Sequence, residues 1–348
     1  MAAGPGGRNS PRRRSEGVKA ASIGVIGAGA WGTALAQMLA SDGSKVLLWA
    51  REAALAKEIN EARVNSAYLP SAALAPAIHA TSEMAETVEC DILLVVTPAQ
   101  HMGEVLRRLP RAPRDLVLCS KGIEAGSGRL MADVARDAVP DAEISVLSGP
   151  TFAHEVAAGL PTAVTLACGG GKEQWQRLAP AIARPSFRPY YTDDVVGAEI
   201  GGAVKNVLAI ACGVVEGLGL GQNARAALIA RGYAEMLRFG EALGANPHTL
   251  AGLCGLGDLV LTCSSTSSRN FSLGKALGEG QLPAALLANR RTVAEGASTA
   301  PVLVERAAQL GIAMPIAEAV ERLLAGVPAR EVASDLLARP LRAEGLSA

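Results

Sequence analysis

Lys205 is placed to do chemistry. It lies inside a run of small and apolar residues, GGAVKNVLAIACG, with Asn206 beside it. A lysine in such surroundings carries its ammonium outward on an apolar stem, pairs with an acid, or exchanges protons at a pKa that burial has lowered. A second lysine, Lys121, follows the apolar run LVLCS and precedes Gly122, which suits either the ligand edge of a sheet or plain surface. The segment GLGDLVLTCSSTSSRN, residues 255–270, holds Asp258 and the cluster Ser268, Arg269 and Asn270. A guanidinium among hydroxyl and amide groups suits phosphate capture, because it joins charge to a directed fork of donors. The same residues also suit a polar loop with an N-capping serine. Gly27, Gly29 and Gly32 stand at G-x-G-x-x-G spacing in IGVIGAGAWGTALA, residues 23–36.

The elements around these residues decide what they mean. Ile23, Val25 and Ile26 read as a strand, and Thr33 to Leu39 as a helix, so the glycines occupy a strand–turn–helix unit. That order makes a dinucleotide site: Gly27 permits the turn, Gly29 admits a pyrophosphate, Gly32 lets helix and strand pack, and the helix N-terminus offers free N–H groups. Strand two is Lys45 to Trp49. Glu52 follows it twenty residues beyond Gly32, where an acid would hold an adenosine ribose, and Arg51 stands where a 2′-phosphate would be held. With Arg51 first and no acid ending the strand, NADP(H) is the preferred expectation and NAD(H) stays open. A helix is expected over Glu52 to Arg63 and another over Met102 to Leu109. Asp91 to Val96, Leu116 to Ser120 and Ile144 to Leu147 read as buried parallel strands ending at polar or glycine-rich loops, with Pro161 to Ala167 and Pro189 to Thr192 as edge strands. Beyond about Thr192 helical periodicity takes over: Val195 to Leu218, Ala224 to Leu243, Leu273 to Leu277, Val302 to Leu310 and Pro315 to Leu324. The expected fold is α/β, an N-terminal Rossmann-type doubly wound sheet (21–191) followed by an all-helical C-terminal domain (192–340), after a disordered basic tail (1–20).

Composition narrows the function classes. Lysine plus arginine equals aspartate plus glutamate at 33 each, which gives no argument for nucleic acid or a membrane surface. Arg12, Arg13 and Arg14 before an uncharged stretch imitate a signal peptide, but cleavage would remove the first strand. Val195 to Leu220 is apolar yet carries Glu199, Lys205, Asn206 and Glu216, which suits a buried helix better than a membrane span. The six cysteines form no C-x-x-C pair and read as reduced thiols of a cytoplasmic protein. His79, His101, His154 and His248 lack ligand spacing, so no metal is expected.

Four segments together, GAGAWGTALA (27–36), SGPTFAHEVA (148–157), AVKN (203–206) and GLGDLVLTCSSTSSRN (255–270), with VAEG (293–296), make the chain resemble the NAD(P)-dependent sn-glycerol-3-phosphate dehydrogenase family of the bacterial soluble type. The resemblance implies interconversion of dihydroxyacetone phosphate and sn-glycerol 3-phosphate for phospholipid synthesis, with substrate bound between a Rossmann and a helical domain. It implies a catalytic role for Lys205 and substrate contacts at Lys121, Gly149, Thr151, Asp258, Ser268, Arg269 and Asn270. It also implies cofactor contacts at Gly27, Gly29, Ala30, Trp31, Gly32, Arg51, Lys121, Ala153, Arg269, Val293 and Glu295. Ala30 stands where the family often has serine, which removes one hydroxyl near the phosphates; Thr151 keeps the hydroxyl of a frequent serine. A homodimer is compatible with the glycine- and alanine-rich helices. Two rivals remain at this stage: a hydroxy-acid dehydrogenase of similar architecture, and a catalytically silent NADP(H) sensor.

Overall fold

The computed structural model describes residues 21–288 and 294–340; the basic tail and Val293 lie outside the described residues. The first half alternates strand and helix: β1 (Ile23–Ile26), α1 (Ala30–Leu39), β2 (Val46–Trp49), α2 (Ala53–Ala62), β3 (Ile78–Thr81), β4 (Ile92–Val95), α3 (Ala99–Leu106), β5 (Asp115–Leu118), α4 (Met131–Ala138), β6 (Glu143–Ser148), α5 (Ala153–Ala157), β7 (Thr162–Cys168), α6 (Gly171–Ile182) and β8 (Phe187–Thr192). The strands form one sheet in the order β3-β2-β1-β4-β5-β6-β7-β8. All neighbours are parallel except β6 and β7. The order reverses between β1 and β4, and that switch point opens a crevice at the C-terminal ends of the strands.

Unbroken apolar strands demand cover on both faces. Val25, Leu48, Ile92 and Leu94 pack into one core, whereas Ile26, Trp49, Leu93 and Val95 pack into another on the opposite face. β3 escapes the sequence reading because it is a four-residue strand that exposes His79 and has no apolar run. β7 lies inside the sheet rather than at its edge, and α6 supplies the crossover that a parallel β7–β8 pair requires. α3 begins at Ala99, not Met102, because Pro98 already serves as its extended N-cap.

The second half is helical: α7 (Val195–Gly217), α8 (Gly221–Ala242), α9 (Pro247–Leu250), a π-helical turn at Leu253–Gly257, α10 (Asp258–Thr262), α11 (Arg269–Gly278), α12 (Pro283–Leu287), α13 (Glu295–Gln309), α14 (Pro315–Leu324) and α15 (Ala329–Leu337). α7 is its axis. Val195 and Ala198 pack in a core under the sheet, while Ile200, Ala203 and Val204 belong to the helical core, so one helix is shared by both halves. By length and composition α7 could cross a membrane, but 94% of its apolar window is buried inside the protein.

Candidate active site

The glycine loop is held from behind. Gly27 takes φ +113°, a left-handed conformation that disfavours other residues. A Cβ on Gly32 would stand 1.8 Å from the Gly27 carbonyl oxygen, whereas a Cβ on Gly29 would meet nothing within 4 Å. Close packing is therefore needed at Gly32, and open space lies in front of Gly29. Asn65, fully buried, donates to the Ala28 carbonyl (2.9 Å) and to Thr33 Oγ1 (2.8 Å), and Thr33 Oγ1 donates to the same carbonyl (3.3 Å). α1 starts at Ala30 with no capping side chain, so its first-turn N–H groups face that open space. Trp31 sits in this turn with its indole N–H buried and unpartnered. The loop thus fits a dinucleotide: a cradle that a Cβ would fill, free amides and an orphaned donor. Arg51 and Glu52 follow β2 as expected, but there they grip each other at 2.6 Å. Ala153 opens α5, which packs against α1.

The chemistry-bearing residues meet where the helical half covers the strand ends. α7 brings Lys205 to Asp258 Oδ1 at 2.6 Å and to Thr262 Oγ1 at 2.8 Å. Lys121, just past β5, donates to Asp258 Oδ2 at 2.7 Å and to the Gly149 carbonyl at 3.3 Å. Asp258 is fully buried and bridges two lysines that lie 53 and 137 residues from it in the chain. The π-helical turn before α10 sets its angle, since a Cβ on Gly201 of α7 would stand 2.3 Å from the Cys254 carbonyl oxygen; the two backbones touch. On α7, Gly202 leaves room for the Lys121 stem, as a Cβ there would lie 3.3 Å from Lys121 Cγ. Burial lowers the Lys205 pKa to about 8; Asp258 opposes the shift, and the Lys121 charge adds to it. Lys205 is thus paired and buried, not carried out to solvent.

Arg269 is exposed at the first turn of α11, and Ser268 is its N-cap, accepting from Phe271 N at 3.2 Å. The Asn270 side chain is already engaged: its amide donates to Asn206 Oδ1 (3.0 Å), and its oxygen accepts from Gly296 N (2.9 Å). It ties α7, α11 and α13 together. Glu295 lines a cleft with Lys121, Pro98 and Thr299. Burial raises its pKa, against the opposing charges of Arg269, Lys121 and Lys205, which therefore lie within electrostatic reach. Thr151 Oγ1 donates to the Gly149 carbonyl at 3.2 Å. Sequence reasoning passes over Thr262 and Asn65. Thr262 is legible in hindsight as the i+4 neighbour of Asp258 on a helix, whereas Asn65 sits in a loop with no local signal.

A family model described as NAD-dependent glycerol-3-phosphate dehydrogenase N-terminus matches residues 22–174, and its C-terminus counterpart matches residues 194–333. The chain belongs to the NAD-dependent glycerol-3-phosphate dehydrogenase family. It is similar to glycerol-3-phosphate dehydrogenase [NAD(P)+] of Erythrobacter litoralis, with 73% identity over 93% of this chain and 98% of that one. It is also similar to the enzyme of that name from Caulobacter vibrioides, with 54% identity over 92% and 98% of the two chains. The crystal structure of glycerol-3-phosphate dehydrogenase from Coxiella burnetii superposes with a TM-score of 0.87 at 38% identity, covering 92% of this chain and 99% of that one. D-mandelate dehydrogenase shares the fold alone, with a TM-score of 0.57 at 17% identity over 90% and 99% of the two chains. The family's N-terminal part covers the glycine loop and β1 to β7, and its C-terminal part the helices that bring Lys205 and Asp258.

Proposed function

We infer that the chain interconverts dihydroxyacetone phosphate and sn-glycerol 3-phosphate with NAD(P)(H), supplying glycerophospholipid synthesis. The observation that carries this reading is the buried Lys205–Asp258–Lys121 network, where α7 and α10 of the helical half meet the loop after β5. A bound nicotinamide cofactor supplies or accepts the hydride. Lys205, as ammonium, polarises the C2 carbonyl and delivers the proton to the oxygen; in the reverse direction the neutral amine takes the hydroxyl proton. Asp258 holds both lysines in place and keeps a buried ammonium tolerable. Lys121, with Gly149 and Thr151, positions the substrate. At the phosphate end, the first-turn amides of α11 and the Arg269 guanidinium are the recognition elements. Ser268 contributes chiefly as the cap that aims those amides, and Asn270 as the tie that holds α11 against α7.

For the cofactor, Gly27, Gly29, Ala30 and Gly32 would offer backbone to the pyrophosphate, and Trp31, Ala153, Val293 and Glu295 are the further cofactor contacts that the resemblance assigns. Arg51 favours NADP(H) once its guanidinium leaves Glu52 for a 2′-phosphate. Residues 21–191 form the cofactor unit and 192–340 the substrate unit in this reading. The six free, buried cysteines support a cytoplasmic location. Exposed Ala226, Ala227 and Ala230 on α8 support a homodimer, checked by light scattering. The deciding experiment is loss of NADPH absorbance with dihydroxyacetone phosphate, repeated with NADH. Turnover with either cofactor supports the reaction, and the ratio of kcat/KM values sets the preference. Bound NADPH without turnover would reject it.

A further inference from the structure

Glu199 is a buried acid that the chemistry above does not use. It sits on α7, and its side chain reaches the first turn of α4, 67 residues away in the chain, where Oε1 accepts from the Ala132 N–H at 2.8 Å. Its other oxygen is buried without a partner. α4 lacks a capping side chain of its own, because its N-cap residue is Leu130, so Glu199 caps it from another element. Asp133 and Arg136, both of α4, are the charged groups that face it.

The position of this contact matters. Lys121 leads directly into the segment that ends in α4. That segment is closed on itself by the Ile123–Leu130 bridge and by the bond of Glu124 N to the Arg129 carbonyl, and Gln100 of α3 holds it by donating to the Ile123 carbonyl. Glu199 pins its far end to α7. On α7 the residues follow at i, i+3 steps: Glu199 faces α4, Gly202 faces the Lys121 stem, and Lys205 faces Asp258. The element that carries one lysine is thereby docked onto the segment that follows the other.

We propose that Glu199 is a positioning residue that sets the placement of Lys205 against Lys121 by docking α7 onto the first turn of α4. The idea rests on the site reading given above. Burial lifts the Glu199 pKa to about 8, so at neutral pH the group is mainly a carboxylic acid, and glutamine is its close mimic. The test compares wild type, E199Q and E199M. The Lys205 pKa is read directly by NMR of ζ-nitrogen-labelled lysine, beside kcat and the NADPH Kd. E199Q keeps an acceptor for Ala132 and leaves the lysine titration and kcat close to wild type. E199M fills the space without an acceptor, moves the lysine titration, and lowers kcat by about tenfold to a hundredfold with little change in Kd, the scale that small misplacements of a reacting group produce. A folded E199M protein with an unmoved titration and wild-type kcat overturns the proposal, whatever its Tm. So does an E199Q protein as impaired as E199M. Should E199M not fold, E199D withdraws the carboxyl by one methylene and is judged by the same criteria. If wild type fails to reduce dihydroxyacetone phosphate, the site reading falls, and the lysine titration still decides whether Glu199 positions Lys205.

Discussion

Two opposed forces set the charge on Lys205. Burial favours the neutral amine, Asp258 at 2.6 Å favours the ammonium, and the outcome is a pKa brought down to about 8. A group poised there changes charge state close to neutral pH, as an acid–base catalyst should. In the proposed mechanism reduction of dihydroxyacetone phosphate needs the ammonium, so its kcat/KM is expected to be level at lower pH and to fall as pH rises through about 8; oxidation of glycerol 3-phosphate would need the amine and is expected to rise through the same range. Lys205→Ala removes both limbs and lowers kcat by about two to four orders of magnitude while NADPH still binds, which pH–rate profiles and a binding titration check. Arg269 differs in kind: it is exposed at a helix start, and in the proposed reading it acts on the phosphate rather than on the reacting carbon. Arg269→Ala is expected to raise KM for dihydroxyacetone phosphate by at least about tenfold with a smaller effect on kcat, because one charge-assisted contact is lost. A normal KM would remove Arg269 from the site.

At the scale of elements, the glycine loop separates folding from binding. Gly29 faces open space with φ −70°, so Gly29→Ala is expected to fold with the wild-type Tm yet bind NADPH at least about tenfold more weakly, since its methyl would enter the space that the proposed reading gives to a cofactor phosphate. Gly32→Ala sets a methyl against the Gly27 carbonyl and is expected to lower both Tm and affinity. Thermal melts beside cofactor titrations distinguish the two. Caps supplied across the chain recur in the helical half: Glu235 of α8 accepts from Ile316 N at 2.8 Å and Ala317 N at 3.3 Å, at the start of α14. Burial raises its pKa from 4.5 to about 7. The folded state therefore holds a proton that the unfolded state has released, and this contribution to stability is complete below 4.5 and is lost as pH rises through about 7. Glu235→Gln keeps an acceptor without the titration, so Tm measured across that window is expected to fall less steeply in the variant than in wild type.

For the whole molecule, α7 makes the two halves interdependent. It packs in the core beneath the sheet and in the helical core, and it carries Glu199, Gly202 and Lys205 in sequence along one helix. Ligands on either side should stabilise the same body. NADPH alone is expected to raise Tm, and glycerol 3-phosphate to raise it further. A response to NADPH but none to glycerol 3-phosphate would point to the sensor alternative. Much of this plan is legible in the chain itself. The G-x-G-x-x-G turn between an apolar strand and a helix, the strands Asp91 to Val96 and Leu116 to Ser120, and the apolar helix around Lys205 all carry local periodicity. β3 has no apolar run, while the apolar stripes of α4 (Met131, Val134 and Ala135) and α6 (Leu178 and Ile182) do follow helical spacing but are brief, so the sequence reading passes over all three elements.

The sequence by itself determined the residue types: glycines at G-x-G-x-x-G spacing, a lysine in an apolar helix, and an arginine beside a capping serine. These are properties of single residues and near neighbours, and backbone sterics and helical spacing act over those distances. Only the tertiary structure decided that Asp258 bridges Lys121 and Lys205, that Asn65 and Thr33 clamp the glycine loop, that Asn270 ties three helices, and that Glu199 caps a helix in the other half. These pairings join residues far apart in the chain. Their geometry is set by the way two apolar cores share α7, and their energy comes from burial, which no window of sequence contains.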